Sequence, residues 1–355
     1  MKKAILIVCV VAIAGLGSAE LAIGALYSIT ELRQPGGPVM TYAMAMNEGG
    51  YVVGIGGGHG LLWDSGNITD LGESVVPRDV NDRGQIVGNY RTTAKPQKTR
   101  GFRWSQATGL IDLETLAGDV GATVAMGVNN AGDIVGTSYT ADSHQRAVRW
   151  RNDAIANLDT LGGQTSSAFA INEDGKIVGA ASTGTANHAF LFGAGRMADL
   201  GSLQGPAGYS EGTAINASGA VVGNSGFYAF HWENGVTTVL GSFGSHGIPL
   251  TPNGSRSNDI NDNGEVVGEL YNYGARGAVL WQDFAVRDLN ALIEPDSGWI
   301  LLSATGIDNS GRIVGYGTYD GNDRAFLLTP IPEPATLSLF ALSGLAMLRR
   351  RKSSR

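Results

Sequence analysis

The chain has 355 residues, 53 of them Gly, with a formal net charge of −7 and a single Cys. A body of this length buries a core large enough to be stable without disulfides, and the lone Cys9 excludes disulfide pairing and Cys-based metal sites. Between Glu20 and Ile331 the balance is 18 basic against 31 acidic residues, a net of −13, which repels phosphate backbones and argues against nucleic-acid binding.

The chain opens with Lys2 and Lys3, an apolar stretch from Ala4 to Leu16, and the small residues Gly17-Ser18-Ala19. A basic, apolar, small-residue order is that of a secretory signal, here residues 1–19 with cleavage after Ala19. Cys9 lies inside it, so the mature chain contains no thiol.

Next, Tyr27 to Leu32 alternates apolar and polar residues as a half-buried strand does. One phrase then occurs seven times, starting at Asn47, Asn81, Asn129, Asn172, Asn216, Asn261 and Asp308. Each copy runs Asn(Asp)-x-x-Gly-x-(Ile/Val)-Val-Gly, and the starts are 34, 48, 43, 44, 45 and 47 residues apart. Such a period marks a repeat architecture. Asn first and Gly fourth suit a type I turn, so each phrase predicts an antiparallel hairpin; around Asn172 the arms are Ala168–Ile171 and Lys176–Ala180. A third strand follows in each unit, a small residue and then an apolar-x-aromatic group, as in Gly60 to Trp63 and Ala147 to Trp150. The recurring aromatic is expected to be a packing knob between units. A fourth strand is marked by a polar-apolar pair such as Asp70-Leu71, Asp112-Leu113 or Asp288-Leu289.

Six fourth strands follow seven copies of everything else, and the seventh is Tyr27–Leu32, at the other end of the chain. A chain in that phase completes its last sheet only by joining its ends, which is the closure of a ring. Residues 26–330 are therefore expected to be all-β, a seven-bladed β-propeller of four-stranded antiparallel blades closed by the N-terminal strand. The alternative is a β-solenoid, which needs atypical caps at both ends instead.

The C-terminal segment, residues 331–355, has three ordered parts. Pro332-Glu333-Pro334 is a stiff break, Ala335 to Leu348 is apolar, and Arg349-Arg350-Arg351-Lys352 is basic. Fourteen apolar residues are short for a spanning helix, but the basic cluster behind them is what a positive-inside stop looks like. This order resembles the PEP-CTERM sorting signal of Gram-negative bacteria. The resemblance implies a short transmembrane helix and recognition by an exosortase at the inner membrane. It also implies passage through the secretion machinery and delivery to the cell surface or the extracellular matrix. The repeats resemble the HAF family of extracellular repeats, whose His-Ala-Phe tripeptide stands here as His188-Ala189-Phe190. That resemblance implies a surface location and no particular reaction.

Enzyme signatures are missing: no two of the five His have helical metal-site spacing, and no nucleophile elbow or phosphate loop is present. Asp259-Ile260-Asn261-Asp262-Asn263-Gly264 begins like a calcium loop, but Leu270 stands where its last ligand belongs, and a turn explains it better. No cofactor or metal is expected. One constellation stands out in this acidic body. Four residues before each third-strand aromatic, or its Leu328 equivalent, the chain has His59, Arg100, Arg146, His188, Tyr228, Gly277 and Arg324. The five basic ones, His59, Arg100, Arg146, His188 and Arg324, are candidates for an anion or acidic-polysaccharide site. Their structural alternative is pairing with nearby carboxylates or carbonyls. The expected function is thus that of an exported, non-enzymatic surface or matrix protein contacting polysaccharide. A secreted polysaccharide hydrolase or lyase is the alternative, and it needs carboxylates converging on the axis.

Overall fold

The structure is a computed structural model. It describes residues 26–332 except 34–39, 94, 119–120, 242–253 and 273–274. The signal segment with Ala19 lies outside the described residues, as do Glu333, Pro334, the tail helix expected over 335–348 and Arg349, Arg350 and Arg351. Among the described residues, no helix is long and apolar enough to cross a membrane.

Among the described residues twenty-eight strands, β1 to β28 in chain order, form seven four-stranded antiparallel sheets. The unit around Asn172 shows the pattern. Strands β14 (Ser166–Ile171), β15 (Ile177–Ser182), β16 (Asn187–Gly193) and β17 (Arg196–Gly201) pair consecutively from the axis outward. The remaining blades repeat this order except the seventh. There β26 (Trp299–Ile307), β27 (Ile313–Tyr319) and β28 (Asn322–Pro330) are joined by β1 (Tyr27–Leu32), in register from Tyr27 opposite Pro330 to Leu32 opposite Ala325. The chain is a closed seven-bladed propeller, and the solenoid alternative falls.

Each position of the repeated phrase has a physical reason. Its adjacent apolar pair sits on the second strand, where neighbouring residues face opposite sides of the sheet. Ile86 packs back against blade 1, beside Val53 and Leu62, while Val87 packs forward against blade 3, beside Ile134 and Trp150. The same division recurs around the ring, so the core is a set of interfaces between adjacent blades. Trp63, Trp150 and Trp281 belong to these interfaces and Phe192 packs against one, as the packing-knob expectation requires.

The closing Gly of the phrase answers an irregularity of the innermost strand. All seven innermost strands slip register by one residue, at Met44, Arg78, Met126, Phe169, Thr213, Asn258 and Thr305, and the seventh slips a second time at Leu302. Such a β-bulge bends the strand and re-aims the extra side chain. It also drives a carbonyl toward the second strand. A Cβ added at Gly54, Gly88, Gly136, Gly179, Gly223, Gly268 or Gly315 would stand 1.9–2.1 Å from a main-chain oxygen of the innermost strand. Only Gly fits there.

Candidate functional site on the propeller axis

The turns after the innermost strands meet around one mouth of the central channel, and their Asn residues hold the blades together. In each copy the Asn Oδ1 accepts the N–H four residues on, as from Lys176 to Asn172 at 2.9 Å. Its Nδ2 donates to the carbonyl of the next blade's Asn. These bonds run Asn47 to Asn81 (2.8 Å), Asn81 to Asn129 (2.9 Å), Asn129 to Asn172 (3.2 Å), Asn172 to Asn216 (3.0 Å), Asn216 to Asn261 (3.1 Å) and Asn261 to Asp308 (3.0 Å). Asp308 has no amide donor. At this last joint Arg312 pairs with Asp308 and donates Nη2 to the Glu48 carbonyl at 2.8 Å.

The residue after each Asn forms a second tier. Asp82 Oδ1 accepts from Glu48 N–H (3.1 Å), Asn130 from Asp82 (2.8 Å), Glu173 from Asn130 (3.0 Å), Asp262 from Ala217 (2.8 Å), Asn309 from Asp262 (2.8 Å) and Glu48 from Asn309 (3.1 Å). Ala217 is the one gap in this belt. Deeper in the channel stand Asp79 and Asp259, two residues before their Asn. Asp79 accepts from Val128 and Val80 N–H at 2.8 Å each; Asp259 accepts from Ile307 and Ile260 N–H at 2.9 Å each. Burial outweighs these donors and pushes Asp79 up to about 6 and Asp259 up to about 7, with Asp79 and Glu48 adding to the rise at Asp259. Within the segment Asp259–Gly264 the first two residues end a strand and Asn261 to Gly264 form a hairpin turn, closed by Gly264 N–H to the Asn261 carbonyl at 3.1 Å. Among the described residues no group of three or more His, Asp or Glu is arranged to hold a metal ion.

The seven bulge residues form the waist of the channel and line the cavities on both sides of it. On the Asn-turn side the cavity is about 360 Å³ and is lined by Glu48, Asp79, Asp82, Glu173, Asp259 and Asp262. On the opposite side it is about 500 Å³ and carries Arg256, Arg276, Glu211 and Glu269.

The five predicted basic residues occupy equivalent positions on the third strands, and none lines either cavity. Each has a partner within the chain. His59 Nδ1 lies 3.0 Å from Asp70 Oδ1, and His188 bridges Asp199 (2.9 Å) and the Pro206 carbonyl (3.1 Å). Arg100 donates to Gly121 O at 3.2 Å, and Arg146 to Gln145 O at 3.2 Å and to Gln164 O. Arg324 stands 2.9 Å from Glu31 of the closing strand. Of the sorting motif, only Pro332 is described, and it is exposed.

The Asn joints, the carboxylate belt and the waist are not apparent from the repeat alone. The waist had a signal: it lies three residues before every repeated Asn.

Residues 330–352 match the PEP-CTERM protein-sorting motif. The motif implies a secreted, membrane-transiting precursor processed by an exosortase. Among solved structures the chain is similar to a streptogramin B lyase (13% identity, TM-score 0.51, 85% of this chain and 98% of that one). It is also similar to virginiamycin B lyase from Staphylococcus aureus (13% identity, TM-score 0.52, 86% and 100%). At this identity the likeness concerns the fold alone. No curated protein matches the chain.

Proposed function

We propose that the chain is an exported, non-enzymatic protein of the cell surface or extracellular matrix, whose propeller binds polysaccharide after exosortase handling. The observation that carries this reading is the use made of the axial polar groups. The belt side chains, Asp79 and Asp259 all accept main-chain N–H groups, most of them across a blade boundary. They brace a rigid ring that presents its faces and channel to a ligand. Carboxylates fixed in this way are suited to binding and positioning. The resemblance of the units to HAF repeats points the same way, toward a location outside the cell.

A second reading is favoured by one specific observation. Asp79 and Asp259 sit in the channel with raised pKa values, and a carboxyl group poised near neutrality is what general acid catalysis of glycosidic cleavage uses. One experiment separates the two. The purified protein is incubated with the producing organism's exopolysaccharide, and both retention and new reducing ends are measured. Retention without new ends is the expected result. New ends that disappear in Asp79→Asn or Asp259→Asn would transfer the assignment to a hydrolase or lyase.

A further inference from the structure

The waist of the channel differs sharply from one arc to the other. Blades 1 to 4 contribute Met44, Arg78, Met126 and Phe169, an apolar wall with one guanidinium set in it. Blades 5 to 7 contribute Thr213, Asn258 and Thr305.

Arg78 is partly buried, and its Nε lies 3.5 Å from Asn89 Oδ1. Among the described residues no carboxylate comes within ion-pair distance of it. Its sequence neighbour Asp79 is turned toward the Val128 and Val80 N–H groups instead. Burial lowers the Arg78 pKa with no carboxylate offsetting the effect. A cation removed from water without a counter-ion is costly, and a bound anion removes that cost.

The opposite arc asks for something else. The one proton of the Thr213 hydroxyl is within reach of the carbonyls of Val222 (3.2 Å) and Ser257 (3.1 Å), and that of Thr305 of those of Ala43 (3.1 Å) and Val314 (3.4 Å). Asn258 Nδ2 donates to Ala304 O at 2.7 Å and Ser303 Oγ at 3.3 Å. With its donors engaged inside the protein, this arc keeps acceptors: two hydroxyl oxygens and the Asn258 Oδ1. Sulfate or chloride has no donors for them, and phosphate has no C–H face for the apolar wall. A carboxylated sugar has a carboxylate for Arg78, hydroxyl donors for the Thr and Asn oxygens, and a C–H face for Phe169 and the two Met side chains.

Charge decides the side of entry. Six carboxylates line the cavity on the Asn-turn side, whereas the other cavity adds two Arg and two Glu to the shared Arg78. The second cavity, at about 500 Å³, lies within the range of small-ligand sites, roughly 300–1,000 Å³.

We propose that this cavity, on the side of Arg256 and Arg276, binds a uronic acid unit, with Arg78 as the anchor of its carboxylate. The proposal rests on the polysaccharide-binding reading above and names its site. Isothermal titration of the purified protein with trigalacturonate, maltotriose and inorganic phosphate tests it. Trigalacturonate is expected to bind, and the two controls are expected to bind far more weakly. Arg78→Gln is expected to weaken trigalacturonate by about tenfold or more, the effect of losing one charge-assisted hydrogen bond. Phe169→Ala is expected to weaken it by about threefold. Arg100→Gln and Arg146→Gln, outside the channel, are expected to leave it unchanged. Removing an uncompensated cation should not lower the melting temperature of Arg78→Gln, and Phe169→Ala supplies an independent variant. Equal affinity of Arg78→Gln and the unmodified protein overturns the proposal, as does maltotriose or phosphate binding as tightly as trigalacturonate. If Arg78→Gln is still retained on exopolysaccharide as the unmodified protein is, the binding reading stands and this site falls. If the unmodified protein is not retained, both fall.

Discussion

At the scale of single residues, the repeated Asn is a joint, and one joint in seven is built differently. Asn172 supplies an acceptor to Lys176 N–H and a donor to the Asn216 carbonyl, and it is buried. Asn172→Ala leaves both partners unsatisfied and is expected to cost about 2–4 kcal/mol in urea unfolding. Asn172→Asp keeps the acceptor but turns the donor into an oxygen facing a carbonyl, so it should be at least as damaging. Blade 7 shows the compensation, with Arg312 four residues after Asp308. Adding Lys176→Arg to Asn172→Asp places the same pair at the same spacing and is expected to recover about half of the loss. Conversely, Arg312→Ala leaves the buried Asp308 without its cation and should cost about 3 kcal/mol. Asp79 and Asp259 add a pH signature. Their folded pKa values, about 6 and about 7, lie above the unfolded carboxylate value of about 3.9. The folded state therefore holds more protons, and the stability these groups contribute is complete below about pH 4 and lost as pH rises through 6 to 7. The melting temperature should fall over that window, and the Asp79→Asn, Asp259→Asn double variant should show a flatter profile.

At the scale of the strand, the bulge explains why the second strand must carry Gly, and it makes a contrast. At Gly179 an added Cβ would stand 1.9 Å from the Ser167 carbonyl oxygen, whereas at Gly277 it would meet nothing within 4 Å. Gly179→Ala is expected to destabilise by about 3 kcal/mol or more, and Gly277→Ala to stay within about 0.5 kcal/mol of the parent, both measured by chemical denaturation. The hairpins, the aromatic knobs and the strand count were legible in the sequence because turn chemistry and alternation leave local marks. Gly175 takes the left-handed φ of +75° that its turn requires. The bulges left only a positional mark, three residues before each repeated Asn, and none in residue type. Each displaces a side chain toward the axis without changing the kind of residue on either side, so Met44 and Phe169 look like ordinary strand residues. The basic positions of the third strand were visible for the opposite reason, since charge stands out in sequence. Yet the partners of Arg324 and His188, Glu31 and Asp199, become apparent only once the strands are paired. The guanidinium on the axis, Arg78, was hidden because its blade-equivalents share no chemistry with it.

At the scale of the whole molecule, the ring makes neighbours of residues 301 apart in sequence. The last described links are Ser28 Oγ to the Thr329 carbonyl at 3.3 Å and Ile331 N–H to the Leu26 carbonyl at 2.8 Å. Both ends of the body thus meet at the outer edge of blade 7, and the sorting motif begins there at residue 330. Every other blade is one continuous stretch of chain, whereas blade 7 is held together only by noncovalent pairing of β1 with β28. Parting β1 from β28 breaks one sheet edge without unfolding any other blade, so opening is expected to begin at this seam. Ser28 and Thr329 face each other across that seam. A Ser28→Cys, Thr329→Cys pair, oxidised, closes a loop of nearly the whole chain, for which the entropy model gives at most about 5–6 kcal/mol. The oxidised variant is expected to melt well above the parent and to unfold more slowly, and the reduced form to match the parent. A seam that opens before the unfolding transition state predicts that most of the gain appears in the unfolding rate. Equal unfolding rates for the oxidised and reduced forms would instead place the first opening between two other blades, where the Asn joints and the apolar interfaces are all that resist.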